Sequence, residues 1–95
     1  MRLNEFPDIF QSRLRLMIIS ALISGDKSFN EIKELTGATD GNVSVQLTKL
    51  ELAGYVVITK GYIGKKPHTT VSLTENGLHD FKEYVEMLER LIDDN

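Results

Sequence analysis

Apolar residues recur at helical spacing in the middle of the chain, between residues 39 and 54. Thr39 or Asp40 can cap the first turn of a helix there, because short polar side chains accept hydrogen bonds from free backbone N–H groups. Gly54 can end it, because glycine adopts the left-handed conformation without a Cβ clash. The pattern predicts a helix over residues 39–53 whose apolar side is formed by Val43, Leu47 and Leu50.

Residues 13–24 form the most apolar segment, and the helix that they predict is apolar on nearly all sides. An ordinary surface helix has one apolar face, so this helix has to be covered on two. The core of the domain can cover one side, and a second subunit is the natural cover for the other. A central helix wrapped by its own chain would satisfy the same pattern. We expect a helix over residues 10–24, beginning after Pro7, with stripes of Leu14, Met17, Ile18, Ala21 and Leu22 and of Leu16, Ile19 and Ile23.

A shorter helix is predicted over residues 30–36, just before the first pattern. Its start is set either by Asn30 as the cap or by a capping box of Ser28 and Glu31. Gly37 closes it and leads into the next helix. Two helices joined by a tight turn that contains glycine are typical of a helix-turn-helix. The residues expected to face the core are Ile32 and Leu35.

After these helices the composition favours extended structure. Residues 55–62 are rich in β-branched and aromatic side chains, which suit a strand. Residues 68–73 alternate polar and apolar positions, which indicates a second strand with one buried face. The turn residues at 63–67 join the two strands, so the pattern predicts a hairpin that carries Lys65 and Lys66 at its tip.

A long amphipathic helix is predicted over residues 75–93, with Thr74 as its N-cap. Its apolar residues are separated by three and four positions alternately, and most other positions are acidic. Such heptad spacing fits the seam of a dimer. It fits equally a single helix that lies on its own domain. The apolar positions are Leu78, Phe81, Val85, Leu88 and Ile92.

Length and composition limit the class of protein. A chain of 95 residues, with 41% hydrophobic and 26% charged residues, is expected to form a single α+β domain over 1–95. The absence of cysteine excludes disulfides and thiol chemistry within the chain. No apolar run is long enough to span a membrane, and the first ten residues lack the apolar segment of a signal peptide. We therefore expect no membrane association and a cytoplasmic location.

Charge is distributed unevenly along the chain. The net charge is −3, which argues against a general binder of polyanions. Residues 44–68, however, carry four lysines against one glutamate, whereas residues 74–95 have a balance of −5. If folding separates these segments, only one side of the molecule attracts phosphate.

Motifs of catalysis and metal binding are missing. The chain has no GxSxG, no HExxH and no glycine loop of the kind that holds phosphates, so we predict that it is not an enzyme. Its two histidines, His68 and His79, have ten residues between them in sequence and no cysteine to complete a zinc site. We therefore expect no metal and no cofactor, and interpret the histidines as polar surface groups.

Three short motifs follow one another in a fixed order. They are NVSVQLTKLE at 42–51, LAGYV at 52–56 and LTENG at 73–77. Over residues 13–92 these motifs and the predicted elements resemble the winged helix-turn-helix transcriptional regulators of the MarR and ArsR type. In that resemblance they correspond to the recognition helix, the junction between helix and wing, and the step into the last helix. The likeness is greatest to small stand-alone regulators with a wing of the form KGYIGKKPHTTVSLTENG.

The resemblance implies a homodimer that binds a pseudo-palindromic operator in double-stranded DNA. One recognition helix, at 39–53, would enter the major groove of each half-site, with half-sites roughly 34 Å apart. The wing at 60–68 would reach the minor groove or its backbone. The candidate DNA-contacting residues are Thr39, Gly41, Asn42, Ser44, Val45, Gln46, Thr48, Lys49, Lys60, Lys65, Lys66 and His68. The candidate dimer-interface residues are Leu16, Ile19, Ile23, Phe81, Val85, Leu88 and Ile92.

The chain departs from the family pattern in its cations. Val45, Gln46 and Thr48 stand where relatives often carry Arg, His or Lys, and the wing has lysines where arginine is frequent. Lysine lacks the planar fork with which arginine binds phosphate, so we expect a shallow dependence of DNA affinity on salt. The acidic composition keeps a second hypothesis open, a winged-helix module that binds another protein in a larger assembly. An unidentified small-molecule effector could also bind between the helices of a dimer.

Overall fold

Four helices and three short strands follow one another in residues 8–93, the part of the chain that the computed structural model describes. A single 3-10 turn, Asp8–Phe10, precedes them. The predicted α+β class is confirmed, and Pro7 lies outside the described residues. The elements are α1 (Arg13–Leu22), β1 (Lys27–Ser28), α2 (Phe29–Thr36), α3 (Asp40–Leu52), β2 (Val56–Ile63), β3 (Lys66–Leu73) and α4 (Glu75–Asp93).

Helix α1 begins later than the hydrophobic pattern indicates. Its cap is Ser12, whose hydroxyl accepts a hydrogen bond from the backbone N–H of Arg15 at 3.2 Å. Phe10 belongs to the preceding 3-10 turn, where its ring is buried. The prediction that the helix could extend over residues 10–24 was therefore wrong at its start, because the serine cap sets the boundary.

Helices α2 and α3 are capped by side chains that the sequence offers. Ser28 and Glu31 form the capping box of α2, which decides between the two predicted caps. Thr39 caps α3 by accepting from the N–H of Asn42 at 3.2 Å. Past the end of α3, Gly54 takes a φ of +79°, as predicted.

The three strands form one antiparallel sheet in the order β1-β3-β2. Pairing of β2 with β3 continues to Ile63 and Lys66, so a turn of only two residues, Gly64 and Lys65, joins them. Gly64 has a φ of +64°, which the first central position of a tight hairpin turn requires. The hairpin is therefore longer than predicted. Pro67 lies within β3, where β1 does not reach, so its missing N–H costs no hydrogen bond on that side.

The core forms where α1, α2, α3 and α4 meet the sheet. Val43, Leu47 and Leu50 of α3 are all buried in it, as the periodicity predicts. Ile19 was predicted at a dimer interface, but its side chain is completely buried beside Ile18 in the chain's own core. The expectation for Ile19 was therefore wrong.

Leu35 is a second correction, because it was expected to face the core but is 58% exposed. Of the two apolar residues predicted to face inward from α2, only Ile32 is buried. A helix of eight residues has room for few inward positions, and the three-residue step from Ile32 carries Leu35 to the rim of the packed face. Leu35 instead lines a groove between α1 and α4.

Helix α4 packs on the domain through aromatic rings. Phe10 stacks on Tyr55 with ring centroids 5.4 Å apart and on Tyr84 at 5.1 Å. Tyr84 and Met87 are the large side chains that α4 buries, whereas the heptad residues of the sequence pattern lie beside them, half-buried or exposed. The covered face of α4 therefore adjoins the heptad face rather than coinciding with it.

A compact junction fixes the start of α4 against the end of α3. The hydroxyl of Thr74 donates to the carbonyl of Gly54 at 2.7 Å and accepts from the N–H of Gly77 at 3.0 Å. The backbone N–H of Thr74 donates to the carbonyl of Tyr55 at 3.0 Å. One threonine thus caps α4, as predicted, and ties it to the segment that leads into the hairpin.

Candidate nucleic-acid interface

The side of α3 opposite its buried stripe is open to solvent. Asn42, Ser44, Thr48 and Lys49 are exposed, and Val45 is half exposed. Gly41 adds an exposed position without a side chain in the first turn. The exposed side is therefore mostly polar and carries a single cation.

The side-chain amides of Asn42 and Gln46 on this side are hydrogen-bonded to each other, and Gln46 is also bonded to Arg15. Gln46 Nε2 donates to Asn42 Oδ1 at 3.1 Å. Arg15 of α1 donates from Nη1 to Gln46 Oε1 at 2.7 Å, and its other nitrogens donate to the carbonyls of Ile9 and Asp8. The guanidinium thus links the 3-10 turn, α1 and the exposed side of α3. Sequence reasoning missed Arg15, because it lies 31 positions before Gln46 and nothing local marks the contact.

Two further contacts involve residues of α3, one at its start and one within the helix. Lys33 of α2 forms an ion pair with Asp40 in the first turn of α3. Thr48 donates its hydroxyl to the carbonyl of Ser44, one helical turn earlier, at 3.0 Å. An acidic residue at a helix N-terminus also interacts favourably with the helix dipole.

A polar concavity of about 600 Å³ lies between α3 and the hairpin. Ser44 and Thr48 line it from the helix, and Lys60 and Thr69 line it from the paired strands β2 and β3. The structure thus brings Lys60 together with the exposed side of α3. Thr69 is a further polar residue here that sequence reasoning missed, because it lies on the same face of β3 as the buried Val71.

The hairpin tip carries two further exposed cations. Lys65 and Lys66 are exposed at the turn, and His68 is half-buried on β3 opposite Gly61 of β2. Most acidic residues of α4 are exposed, whereas Asp80 is half-buried. The cations of the middle segment therefore lie on α3 and the hairpin, and the acidic residues lie on a different element, α4.

The sequence matches a family model described as a winged helix DNA-binding domain, over residues 14–92. This match covers most of the chain. The chain belongs to the winged helix DNA-binding domain family. Since this family is one of DNA-binding domains, the prediction that the chain is not an enzyme is confirmed.

Relatives of this winged-helix chain are found among proteins and solved structures. An uncharacterized protein of Methanocaldococcus jannaschii, MJ0432, is 36% identical over 78 residues, covering 81% of this chain and 85% of that protein. A transcriptional regulator homologue from Pyrococcus horikoshii has a TM-score of 0.78 at 28% identity, covering 92% of each chain. PadR of Bacillus subtilis, in complex with operator DNA, has a TM-score of 0.71 at 19% identity, covering 79% of this chain and 48% of PadR. The winged-helix fold predicted from the sequence is therefore confirmed.

In winged-helix terms, α3 is the recognition helix and the β2–β3 hairpin is the wing. The predicted candidate DNA residues fall on these two elements, apart from Thr39, which is the N-cap of α3. The hydroxyl of Thr39 is engaged in capping, whereas the lysine side chains of the wing extend from exposed positions.

A mainly apolar groove of about 760 Å³ lies between α1 and α4 of the winged-helix domain. Four of the predicted dimer residues line it: Leu16, Phe81, Val85 and Leu88. Ile23 lies in a separate hollow at the other end of α1, and Ile92 is exposed near the end of α4. Ile19 is not available at either place, because it is buried in the core.

A polar cluster lies on the first turns of α4. Tyr55 donates its hydroxyl to Asp80 Oδ2 at 2.7 Å, and burial together with this carboxylate raises the pKa of Tyr55. His79 contacts the other oxygen of Asp80 at 3.1 Å, and this bond, with the nearby charge of Glu83, raises the pKa of His79. His79, Asp80 and Glu83 could approach one ion together, but both oxygens of Asp80 already have partners. We interpret the cluster as a support for α4.

No helix within residues 8–93 is both long and apolar enough to cross a membrane.

Proposed function

We propose that this chain is a sequence-specific transcriptional regulator that binds double-stranded DNA as a homodimer. Helix α3 enters the major groove and the wing contacts the minor groove or the backbone. The proposed DNA-contacting residues are those predicted from the sequence, with Asn42 and Gln46 at base edges and the wing lysines at phosphates. A cytoplasmic location, with direct access to DNA, belongs to the same proposal.

The observation that carries this proposal is an exposed, mostly polar side of α3 that shares a concavity with Lys60 of the wing. Asn42 is exposed and Gln46 half-buried, while Lys60 shares a concavity with Ser44 and Thr48. Amide side chains can bond base edges in the major groove, and lysines lower the free energy of binding to phosphate by releasing counterions. The structure of PadR with operator DNA supports the same use of this fold.

Dimerisation is proposed through the α1–α4 groove. Leu16, Phe81, Val85 and Leu88 line it and keep part of their apolar surface in contact with solvent in the single chain. Ile92, exposed near the end of α4, extends this surface along the helix. Burial of such surface against a second copy would lower its free energy by roughly 25 cal/mol per Å². The twofold axis would then present two recognition helices to two half-sites.

The test for dimerisation is the mass of the chain in solution. Val85→Glu places a charge in the groove and is expected to shift the native dimer toward monomer in light scattering. Leu52→Glu makes the same chemical change at an exposed site at the end of α3, and the dimer is expected to persist. A native monomer at micromolar concentration would contradict the proposed interface.

The test for DNA binding is selection from a randomised duplex pool, followed by titration at several salt concentrations. Lys65→Ala with Lys66→Ala is expected to weaken binding to all duplexes. It is also expected to flatten the log–log salt slope by about 3.6 if each of the four lysines lost from the dimer neutralises one phosphate. Gln46→Ala is expected to change the selected sequence.

A matched control removes two cations from the acidic side of the molecule. Lys82→Ala with Arg90→Ala changes the net charge equally, at exposed positions of α4. This double variant is expected to keep most of the native affinity and salt slope. Failure of the native chain to retain any duplex at low salt would end the DNA proposal and favour the module that binds another protein.

The groove between α1 and α4 is also the place that we propose for an effector, if one acts on this chain. It is mainly apolar, with polar groups of Ser12 and Ser20 at its edge, as small-molecule sites commonly are. NadR, a fold neighbour with a TM-score of 0.72, was solved in complex with 4-hydroxyphenylacetate. An apolar carboxylic acid of this size is a suitable first probe for a shift in DNA affinity.

A further inference from the structure

Arg15 imposes a direction on the amide of Gln46. A guanidinium has five N–H donors and no acceptor, so only the oxygen of the glutamine amide can face it. Gln46 Oε1 lies 2.7 Å from Arg15 Nη1, a length expected for a charge-assisted hydrogen bond. A rotation of the amide by 180° would bring two donors together, so the nitrogen of Gln46 is directed away from Arg15.

The hydrogen bond from Gln46 orients the amide of Asn42 as well. Gln46 Nε2 donates to Asn42 Oδ1 at 3.1 Å, one helical turn earlier on the exposed side of α3. The asparagine oxygen is therefore turned along the helix toward Gln46. The amide nitrogen of Asn42, with two N–H donors, is left at the exposed end of the chain of bonds.

The base edges of the major groove differ in how they would meet these donors. Guanine offers two adjacent acceptors, N7 and O6, whereas adenine offers the acceptor N7 beside the donor N6. Bidentate binding of adenine needs an amide oxygen as well as a nitrogen. Both amide oxygens here already accept a hydrogen bond from within the protein. A pair of outward donors can bond both acceptors of guanine. At adenine one of these donors would face the N6 donor, so only the bond to N7 could form.

We propose that Arg15 is a positioning residue that fixes the polarity of the Asn42–Gln46 pair, so that α3 selects guanine over adenine where this pair contacts DNA. This inference rests on the proposed function and specifies its base preference. Arg15 acts through Gln46, from a half-buried position on α1 that also anchors the carbonyls of Asp8 and Ile9.

The experiment is selection from a randomised duplex pool with native chain, Arg15→Met and Arg13→Met, followed by titration of matched guanine and adenine duplexes. The contacted position is identified as the one where Gln46→Ala loses its preference. There the native chain is expected to prefer guanine about tenfold, and Arg15→Met to reduce the ratio to near one. Arg13→Met removes the same charge from an exposed position of α1 and is expected to keep the ratio.

The guanine-to-adenine ratio tests the positioning role of Arg15, and the overall affinity for duplex tests the proposed DNA-binding function. Equal weakening of all duplexes by Arg15→Met, with the ratio kept, would overturn the positioning role and leave DNA binding intact. Selection of adenine by the native chain would overturn it as well. Absence of any duplex binding by the native chain would remove the proposed function and this inference together.

A second variant covers the case in which Arg15→Met does not fold. Gln46→Glu keeps an oxygen toward Arg15, so the contact with α1 persists, and replaces the nitrogen that donates to Asn42 Oδ1 by an acceptor. The Asn42 amide is then expected to turn its nitrogen toward the new carboxylate and its oxygen outward. The selected base is then expected to change from guanine to cytosine, whose N4 donates in the major groove. Retention of guanine by Gln46→Glu would contradict outward donors. Arg15→Lys, another side chain with donors only, is expected to retain part of the guanine preference.

Discussion

Gly77 is the position at which a single methyl group should disturb the fold most directly. It lies in the first turns of α4, buried against the segment that follows the recognition helix. A Cβ built at this position would lie 2.5 Å from the carbonyl oxygen of Tyr55 and 2.9 Å from Leu73 Cδ1. The carbonyl cannot move freely, because it accepts the hydrogen bond from the N–H of Thr74.

Two opposing terms set the size of the effect of Gly77→Ala. Alanine in place of glycine within a helix stabilises it by about 1 kcal/mol. Overpacking typically costs 1–3 kcal/mol, and contact with a bonded backbone group argues for about 3 kcal/mol. The free energy of unfolding should therefore fall by about 2 kcal/mol. For a domain of this length that corresponds to a decrease in Tm of roughly 8–16 °C.

Gly41→Ala provides the matched control, because no atom lies within 4 Å of a Cβ built in that first turn of α3. There the same substitution should raise the free energy of unfolding by up to about 1 kcal/mol. Urea unfolding followed by circular dichroism measures both variants against the native chain. The reasoning would be refuted if Gly77→Ala were as stable as Gly41→Ala, since the clash would then be relieved at no cost.

Three further changes test contacts around α4 and α2. Tyr55→Phe should lower the free energy of unfolding by about 1 kcal/mol in urea titrations, because the bond to Asp80 is lost while ring stacking remains; an unchanged midpoint would contradict this. Since bonding to Asp80 raises the pKa of His79, the charged form stabilises the fold fully below pH ~6.5, and the contribution disappears as the pH rises through the folded-state pKa. His79→Gln should therefore destabilise the chain more at pH 5.5 than at pH 9, and equal losses would refute the assignment. Ser28→Ala should cost about 1 kcal/mol by removing the cap of α2. The pKa of Glu31 is held low first by the backbone N–H of Ser28 and then by its hydroxyl, and the variant removes only the hydroxyl. An NMR titration of the variant should therefore show the pKa of Glu31 raised part of the way toward its ordinary value, and an unshifted pKa would count against the box.

Local patterns were sufficient to predict the recognition helix. Its buried stripe, its cap at Thr39 and its glycine end at Gly54 all depend on neighbours within one or two turns. The lysine-tipped hairpin was predicted for the same reason, although the strands pair further toward the tip than the turn residues suggested. Pro67 misled that boundary, because a proline in a strand is tolerated where no third strand runs beside it.

Contacts between distant segments could not be predicted in this way. Periodicity showed that α1 is apolar on two sides, but not that the chain's own core covers Ile19. The spacing on α4 pointed to the heptad face, whereas Tyr84 and Met87 on the adjoining face carry the packing. Arg15 gave no local signal, because its role depends on which residue of α3 folding brings opposite α1.

The sparse cations of the interface have a consequence for how affinity is built. In the proposed homodimer each subunit would offer four lysines, Lys49, Lys60, Lys65 and Lys66, so about eight phosphates would be neutralised, with a salt slope of about −7. Phosphate contacts of one subunit alone would then hold DNA weakly at physiological salt. The remaining free energy would have to come from base edges and from binding two half-sites at once. Amides whose polarity is fixed before binding would strengthen the contacts with base edges, because they need no further ordering when DNA binds. An apolar groove that pairs two subunits would allow both half-sites to be bound at once.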